Sequence, residues 1–258
     1  MDLRITFRLM ATFVLFFGVV GLAVARDCDR INRAPVEIDR PGNYCLARDL
    51  ETDLGRGPAI LITASNVTLD LAGRTLGNRT SDGACLNGNQ DNQTVGIRAV
   101  GANNLTIIGG TIHCFAGGIA ISAQDENCLE CSFGHTVRDV NIKEMFEIGI
   151  LVRASQSTIE GNHIFRIGGG SSRDPRGIVA NGSGNTVRNN DVMNVFGPGG
   201  TGIVTAAGNA NLVVENRVQQ AEIGFALFGG SAVRFRDNIT AEVAVGYFGR
   251  GEDLGNNQ

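Results

Sequence analysis

The sequence predicts an all-β solenoid of about seven to eight rungs, and three observations carry that expectation. Seven glycines are each followed by an apolar residue that opens a short strand: Gly96-Ile97, Gly118-Ile119, Gly149-Ile150, Gly177-Ile178, Gly202-Ile203, Gly224-Phe225 and Gly246-Tyr247. The steps between them are 22, 31, 28, 25, 22 and 22 residues, so the spacing keeps returning to one value and the excess falls in polar loops. A fixed period of this size marks units that bury their apolar faces by stacking on one another. A second element recurs between these strands, as in Ser157 to Ile164, Asn185 to Val192, Asn211 to Val218 and Ala232 to Ile239. Finally, the chain has 36 glycines, 5 prolines and no tryptophan, which suits many short strands joined by tight turns.

Taken in order, residues 1–25 read as a secretory signal peptide. Arg4 and Arg8 border an apolar run, Leu9 to Val24, that ends in Ala23-Val24-Ala25. A basic start, an apolar run and a small-residue cleavage site are the marks of such a segment. An uncleaved membrane anchor is the alternative, but the run is short for a span. No span is expected after cleavage, and the protein is expected to be secreted or periplasmic. Residues 26–57 are expected to form a lead-in or cap segment, residues 58–248 the solenoid and residues 249–258 a polar tail. The tail carries Arg250, Glu252 and Asp253, and either these charges protect the open end or another molecule covers it.

Within the solenoid, each rung is expected to hold at least two strands. The residues alternate apolar and polar with period two, and the elements are too short and glycine-rich for helices. Asn162, Asn190, Asn216 and Asn238 precede the last apolar residue of their elements. A stacked Asn at a bend can take up left-handed geometry and bond to the next rung. Rungs stacked about 4.8 Å apart make a rod on the order of 35 Å long.

The stretch Leu61 to Leu76 resembles the opening rung of right-handed parallel β-helix proteins, and Gly96 to Ile121 resembles their second rung. Pro41-Gly42-Asn43-Tyr44-Cys45-Leu46 is similar to the strand that leads into it. The later rungs resemble the generic β-helix repeats of the pectin-lyase-like superfamily, including its NosD-like members. This resemblance implies a single-stranded right-handed parallel β-helix over roughly residues 35–248. Because that superfamily holds lyases, hydrolases, epimerases and proteins without known chemistry, it implies no single activity.

Six cysteines, Cys28, Cys45, Cys85, Cys114, Cys128 and Cys131, all follow the signal segment. An even number in an exported chain points to disulfides. Cys28–Cys45 is the favoured pair, since both precede the first clear rung, and the other connectivity stays open. His113, Cys114, Cys128, Cys131 and His135 together have zinc-like spacing, but the oxidising compartment favours disulfides, so no metal and no cofactor is expected. The formal net charge of −4 carries no basic footprint, which excludes nucleic acid. Of six N-x-S/T sequons, Asn66, Asn104 and Asn238 fall inside rungs, where Asn and Thr have structural reasons to recur; Asn78, Asn92 and Asn181 are the others.

For function, the outward residues decide. The residues after the seven glycine pairs are Arg98, Ala120, Leu151, Val179, Val204, Ala226 and Phe248, an almost wholly apolar column. It is expected to be covered, by a loop or by another protein, and oligomerisation is open. Aligning the rungs on their asparagines stacks His163, Asp191 and Arg217, with Glu160 and Arg188 beside them. His beside Asp and Arg could do acid-base work on an acidic sugar, whereas the same residues also make an ordinary cross-strand charge ladder. The loop from Gly168 carries Arg173, Asp174 and Arg176, which could reach over that face. An Asp-Pro here resembles part of an alginate epimerase motif, but Arg176-Gly177 stands where its His-Asp would follow. The paired carboxylates of a polygalacturonase and the cluster of a calcium-dependent lyase are also missing. The expectation is a non-catalytic envelope or extracellular protein that binds a polysaccharide or protein. The alternative is a carbohydrate-active enzyme using His163, Asp191, Arg217 and Asp174, with Glu160, Arg188, Arg173 and Arg176 binding substrate.

Overall fold

The computed structural model describes residues 27–79, 85, 93–125, 128–168, 174–229 and 233–258. The signal segment 1–25, the sequon Asn92 and Arg173 lie outside these residues. The described chain is a right-handed parallel β-solenoid of about seven turns with no helix. All strand pairings between its strands are parallel, each strand lying on the one a turn earlier or later.

Each central turn has three strands, one more than the minimum expected. In one turn the chain runs Thr158–Glu160, then His163–Gly168, then Arg176–Asn181. These strands belong to three walls, here A, B and C. Wall A is a ten-stranded sheet that includes Thr136–Arg138, Thr158–Glu160 and Thr186–Arg188. Wall C includes Asn141–Met145, His163–Gly168 and Asp191–Phe196, just after the asparagine bend. Wall B holds the glycine–apolar strands, Ile148–Arg153, Arg176–Asn181 and Thr201–Ala206 among them. In the last turns walls C and B merge into single eleven-residue strands, Arg217–Leu227 and Ile239–Gly249.

The core is three aliphatic columns, one from each wall. Ile60, Ile97, Ile119, Ile150, Ile178, Ile203 and Phe225 stack in register along wall B and are at most 1 % exposed. Leu69, Ile107, Val137, Ile159, Val187 and Val213 form the wall A column. Leu76, Ile112, Ile142, Ile164, Val192 and Val218 form that of wall C. Such close-packed stripes, none of which could be buried by one turn alone, are what make the stack cooperative.

The repeated glycine has a steric cause. A Cβ on Gly149 would stand 2.5 Å from the carbonyl oxygen of Gly177, and one on Gly177 would stand 2.5 Å from that of Gly202 and 2.4 Å from Cγ1 of Val192. Wall C turns so sharply into wall B that its inward side chain and the next turn's backbone fill the space any side chain would need.

The asparagines form a buried ladder. Asn162 Nδ2 donates to Asn190 Oδ1 at 2.9 Å, Asn190 to Asn216 at 3.0 Å, Asn216 to Asn238 at 3.0 Å and Asn238 to Asn257 at 3.1 Å. Each Oδ1 also accepts the backbone N–H of the asparagine one turn before, as in Asn162 N to Asn190 Oδ1 at 3.0 Å. The left-handed residue is the one preceding each ladder asparagine: Gly161, Asn189, Glu215 and Asp237 have φ between 53° and 63°. The sequence expectation placed that geometry on the ladder asparagines themselves. The structure shifts it by one residue because the amide must point into the core to bridge two turns.

At the corner between walls B and A stands a second ladder of His135, Ser157, Asn185 and Asn211. Ser157 N–H donates to Asn185 Oδ1 at 2.9 Å and Asn185 N–H to Asn211 Oδ1 at 2.8 Å. At the C-terminal end Tyr247 stacks on Phe225 at 5.1 Å and on Phe235 at 5.2 Å, so aromatic rings fill the last layer of the core.

Candidate functional site

The three disulfides are Cys28–Cys45, Cys85–Cys114 and Cys128–Cys131. The favoured pair therefore forms, and the connectivity left open is resolved. Disulfides fit an oxidising, extracellular environment. No helix among the described residues is long and apolar enough to cross a membrane.

His163, Asp191 and Arg217 do come together. They open successive wall C strands and stand opposite one another in register. Asp191 is the centre of the row. Its Oδ2 lies 3.2 Å from His163 Nδ1, and Arg217 grips it with Nε to Oδ1 at 2.8 Å and Nη2 to Oδ2 at 2.6 Å. Burial alone would raise the Asp191 carboxyl. The hydrogen bonds and charge of Arg217, with a smaller part from His163, outweigh that and hold it below the usual carboxylate range. Phe165, in the same strand, stacks its ring parallel to His163 at 6.5 Å.

Glu160 and Arg188 are not beside this row but around the corner on wall A, where Arg188 Nε donates to Glu160 Oε2 at 2.6 Å. The asparagine bend, which brings the two pairs close in sequence, turns them onto different faces. Asp174 and Arg176 lie past the opposite edge of wall C. Asp174 N–H donates to Pro198 O, Arg176 N–H to Glu147 O, and Arg176 opens a wall B strand. The expected site thus divides into an Asp191 row, a wall A ion pair and a separate corner.

The apolar column of wall B runs as aligned, from Arg98 through Ala120, Leu151, Val179, Val204 and Ala226 to Phe248. Its centre is covered: Val179, Val204 and Ala226 are buried, with Ile148, Leu151 and Ile223 packed against them. Its ends are open: Arg98 is exposed, and at the C-terminal end Phe248 is 52 % exposed and meets Phe228 edge-on at 5.6 Å.

The five residues with zinc-like spacing do not assemble. Cys128 and Cys131 pair with each other. His135 sits in the second ladder, its Nδ1 accepting from Leu105 N–H at 3.4 Å and its Nε2 donating to Ser132 Oγ at 2.8 Å. Burial pushes this imidazole down to about 4, so it is a neutral core residue. Asn78 is fully buried and bonded to Thr52 and Leu54, which rules out a glycan there.

Sequence reasoning missed one cluster, on wall C near the N-terminal end. Cys85, His113, Cys114 and Glu144 bring their ligand-type atoms within 4.8 Å of one another. Glu51 reaches His113 from two turns away, Oε1 to Nε2 at 3.1 Å. Burial lowers His113 below the ordinary imidazole value, with Arg79 and Lys143 adding to this and Glu51 opposing it. The signal for this cluster lay in wall register, which stacks Glu51, Gly77 and His113.

The N-terminal end of the rod carries open clefts of about 470 and 350 Å³, both lined by Cys28 and Cys45 and neither by His163, Asp191 or Arg217.

Among known proteins, the right handed beta helix region family matches residues 57–240. No curated protein matches the chain. Similar solved structures include the enzymatically active domain of tailspike protein 2 of bacteriophage CBA120, at 12 % identity and a TM-score of 0.38, covering 86 % of this chain and 41 % of that one. The chain thus spans about two fifths of that domain. The A-module of an Azotobacter vinelandii mannuronan C-5 epimerase is similar at 14 % identity and a TM-score of 0.25, over 88 % of this chain and 90 % of that one. Neither likeness bears on activity. The family match, the parallel pairing of every turn and the three stacked core columns lead to one conclusion: the chain belongs to the right-handed β-helix family.

Proposed function

We propose that the protein is an exported, non-catalytic β-helix that binds an acidic polysaccharide along wall C. The observation that carries this reading is the commitment of three carboxylates on walls A and C. Asp191 is held by Arg217 and His163, Glu160 by Arg188, and Glu144 by Arg166 at 3.5 Å. A general base must be free to take a proton near the working pH, whereas Asp191 is held well ionised by a bidentate guanidinium. Hydrolysis needs two carboxyl groups in separate acid and base roles, and these are tied into ion pairs. What wall C does offer is donors. Arg217 is 51 % exposed and has N–H groups beyond its bonds to Asp191, while His163, 43 % exposed with Nδ1 on Asp191, turns Nε2 outward as a second polar contact. A guanidinium and an imidazole in a row on a rigid sheet suit a chain of carboxylates and hydroxyls. The signal-like segment and three disulfides support export.

Calorimetric titration of the mature protein with alginate and pectate oligomers tests this. Binding that weakens at least tenfold in Arg217→Ala and falls with added salt is expected. Full-strength binding in Arg217→Ala, or none to any acidic glycan, would remove the assignment.

One observation favours a second reading. His163 Nδ1 faces a carboxylate at 3.2 Å, the arrangement that orients an imidazole for proton transfer. A lyase or epimerase built on His163 would then act on the same class of polymer.

A further inference from the structure

We propose that Cys85, His113, Cys114 and Glu144 form a binding site for a zinc-like divalent cation when the Cys85–Cys114 disulfide is reduced. The four ligand-type atoms lie within 4.8 Å of one another, and His113 is almost fully buried at 2 % exposure. Tetrahedral zinc with N, O and S ligands separates those atoms by roughly 3.3 to 3.8 Å, so once reduction breaks the S–S bond the sulfurs part to about 3.8 Å and the set closes around the ion.

The surroundings are built for ligation rather than merely crowded. His113 Nδ1 points at the sulfur pair, 3.0 Å from Cys114 Sγ. Its Nε2 meets Glu51 Oε1 at 3.1 Å. A proton on Nε2, donated to Glu51, leaves the Nδ1 lone pair facing the sulfurs. A carboxylate behind a ligating histidine fixes its tautomer and orientation in just this way. Gly77 makes the contact feasible. It stands in register between Glu51 and His113, and a Cβ there would lie 2.2 Å from Glu51 Oε2 and 2.5 Å from His113 Nε2. Glu144 is poised similarly. Its Oε2 faces Cys85 Sγ at 3.4 Å and Cys114 Sγ at 3.7 Å, while Arg166 holds its Oε1 at 3.5 Å. Two thiolates, one imidazole and one carboxylate make a mixed, borderline-soft set that suits zinc over calcium or magnesium.

The redox step balances simply. A water-soluble phosphine reduces the S–S bond and takes the oxygen of one water to become a phosphine oxide. The two protons of that water end on the sulfurs. Cation binding then forms two metal–sulfur bonds and releases both thiol protons to solvent. Cys85, bonded to Cys114 in an oxidising compartment, would share a metal with it in a reducing one.

The test uses the full mature chain, reduced with the phosphine under nitrogen and titrated with cobalt(II) as a spectroscopic stand-in for zinc, with circular dichroism to follow the sheet. One equivalent of cobalt should produce sulfur-to-metal charge-transfer and tetrahedral d–d bands, which zinc then bleaches. The bands should survive Cys128→Ser/Cys131→Ser, which removes the Cys-x-x-Cys pair. They should disappear in Cys114→Ser and in His113→Ala. Glu51→Gln, which removes no ligand, should weaken binding about ten- to a hundredfold. Bands that persist in both Cys114→Ser and His113→Ala, or that vanish with Cys128→Ser/Cys131→Ser, would overturn the proposal. So would a reduced, sheet-containing protein that shows no bands, or one whose lost sheet signal no added zinc restores.

Discussion

Replacing Asn190 by alanine probes the asparagine ladder at its middle. Asn190 Oδ1 accepts both the backbone N–H of Asn162 at 3.0 Å and its Nδ2 at 2.9 Å. Asn190 Nδ2 donates to Ile159 O at 2.9 Å and to Asn216 Oδ1 at 3.0 Å. In Asn190→Ala the buried Asn162 N–H loses its side-chain acceptor, while Asn162 Nδ2 keeps Val137 O. The Ile159 carbonyl loses the Asn190 amide as a donor as well. Each buried polar group left without a partner costs about 1–3 kcal/mol, so losing two should cost about 2–6 kcal/mol. Asn257→Ala is the internal comparison. It removes the same kind of bond at the last step of the ladder, where the contacts to Asn238 are only partly buried, and should cost about 1 kcal/mol because water replaces what is lost. Urea unfolding followed by circular dichroism measures both. Equal costs for the two, or less than about 1 kcal/mol for Asn190→Ala, would refute the view that buried amides hold these turns together.

Further outcomes follow from other positions. Gly177→Ala should destabilise by about 1–3 kcal/mol or more, because its Cβ would meet Gly202 O and Val192 Cγ1 at contact distances no Cβ tolerates. Gly246→Ala, whose nearest atom is Thr240 Oγ1 at 3.4 Å, should be close to neutral by the same unfolding assay. His135 gives an acid transition. Its folded value of about 4 lies below the unfolded 6.5, so the unfolded chain binds the extra proton first; about 3 kcal/mol of stability, complete above pH 6.5, is lost as pH falls to 4. Unfolding midpoints measured across that range should show this loss, and His135→Asn should flatten it. At the other extreme, burial, with Asp253 contributing, pushes the Tyr247 phenol up to about 12. Stability should therefore fall between pH 10 and 12, where the unfolded phenol ionises and the folded one does not, and Tyr247→Phe should remove that fall. Arg217→Ala should cost no more than about 1 kcal/mol, since the guanidinium is half exposed and its ion pair is solvent-screened.

Much of the fold was legible because the chain repeats its constraints. The glycine–apolar pairs located wall B, and the structure supplies their reason, the close approach of wall C at residues such as Val192. The asparagines at 162, 190, 216 and 238 were recognisable as a bend marker, but which residue takes the left-handed φ was not, since Gly161, Asn189, Glu215 and Asp237 share no side-chain type. The third strand of each turn escaped because it is separated from the second by only one or two residues, as Glu160 is from His163. For the site, the register of His163, Asp191 and Arg217 followed from simple alignment. Glu160 and Arg188 were misplaced because alignment carries no direction and the corner turns them away. The Glu51–His113 contact was invisible for another reason: it joins residues 62 apart across the gap left by Gly77.

The central functional claim is that wall C binds an acidic polysaccharide without transforming it. Incubating the mature protein with alginate and pectate, then recording absorbance near 235 nm for new double bonds, reducing ends, and proton NMR of the recovered polymer, addresses that directly. The account predicts polymer of unchanged length, unsaturation and epimer content after binding. New double bonds, new reducing ends or altered uronate configuration that vanish in His163→Ala would contradict it and make the Asp191 row an active site.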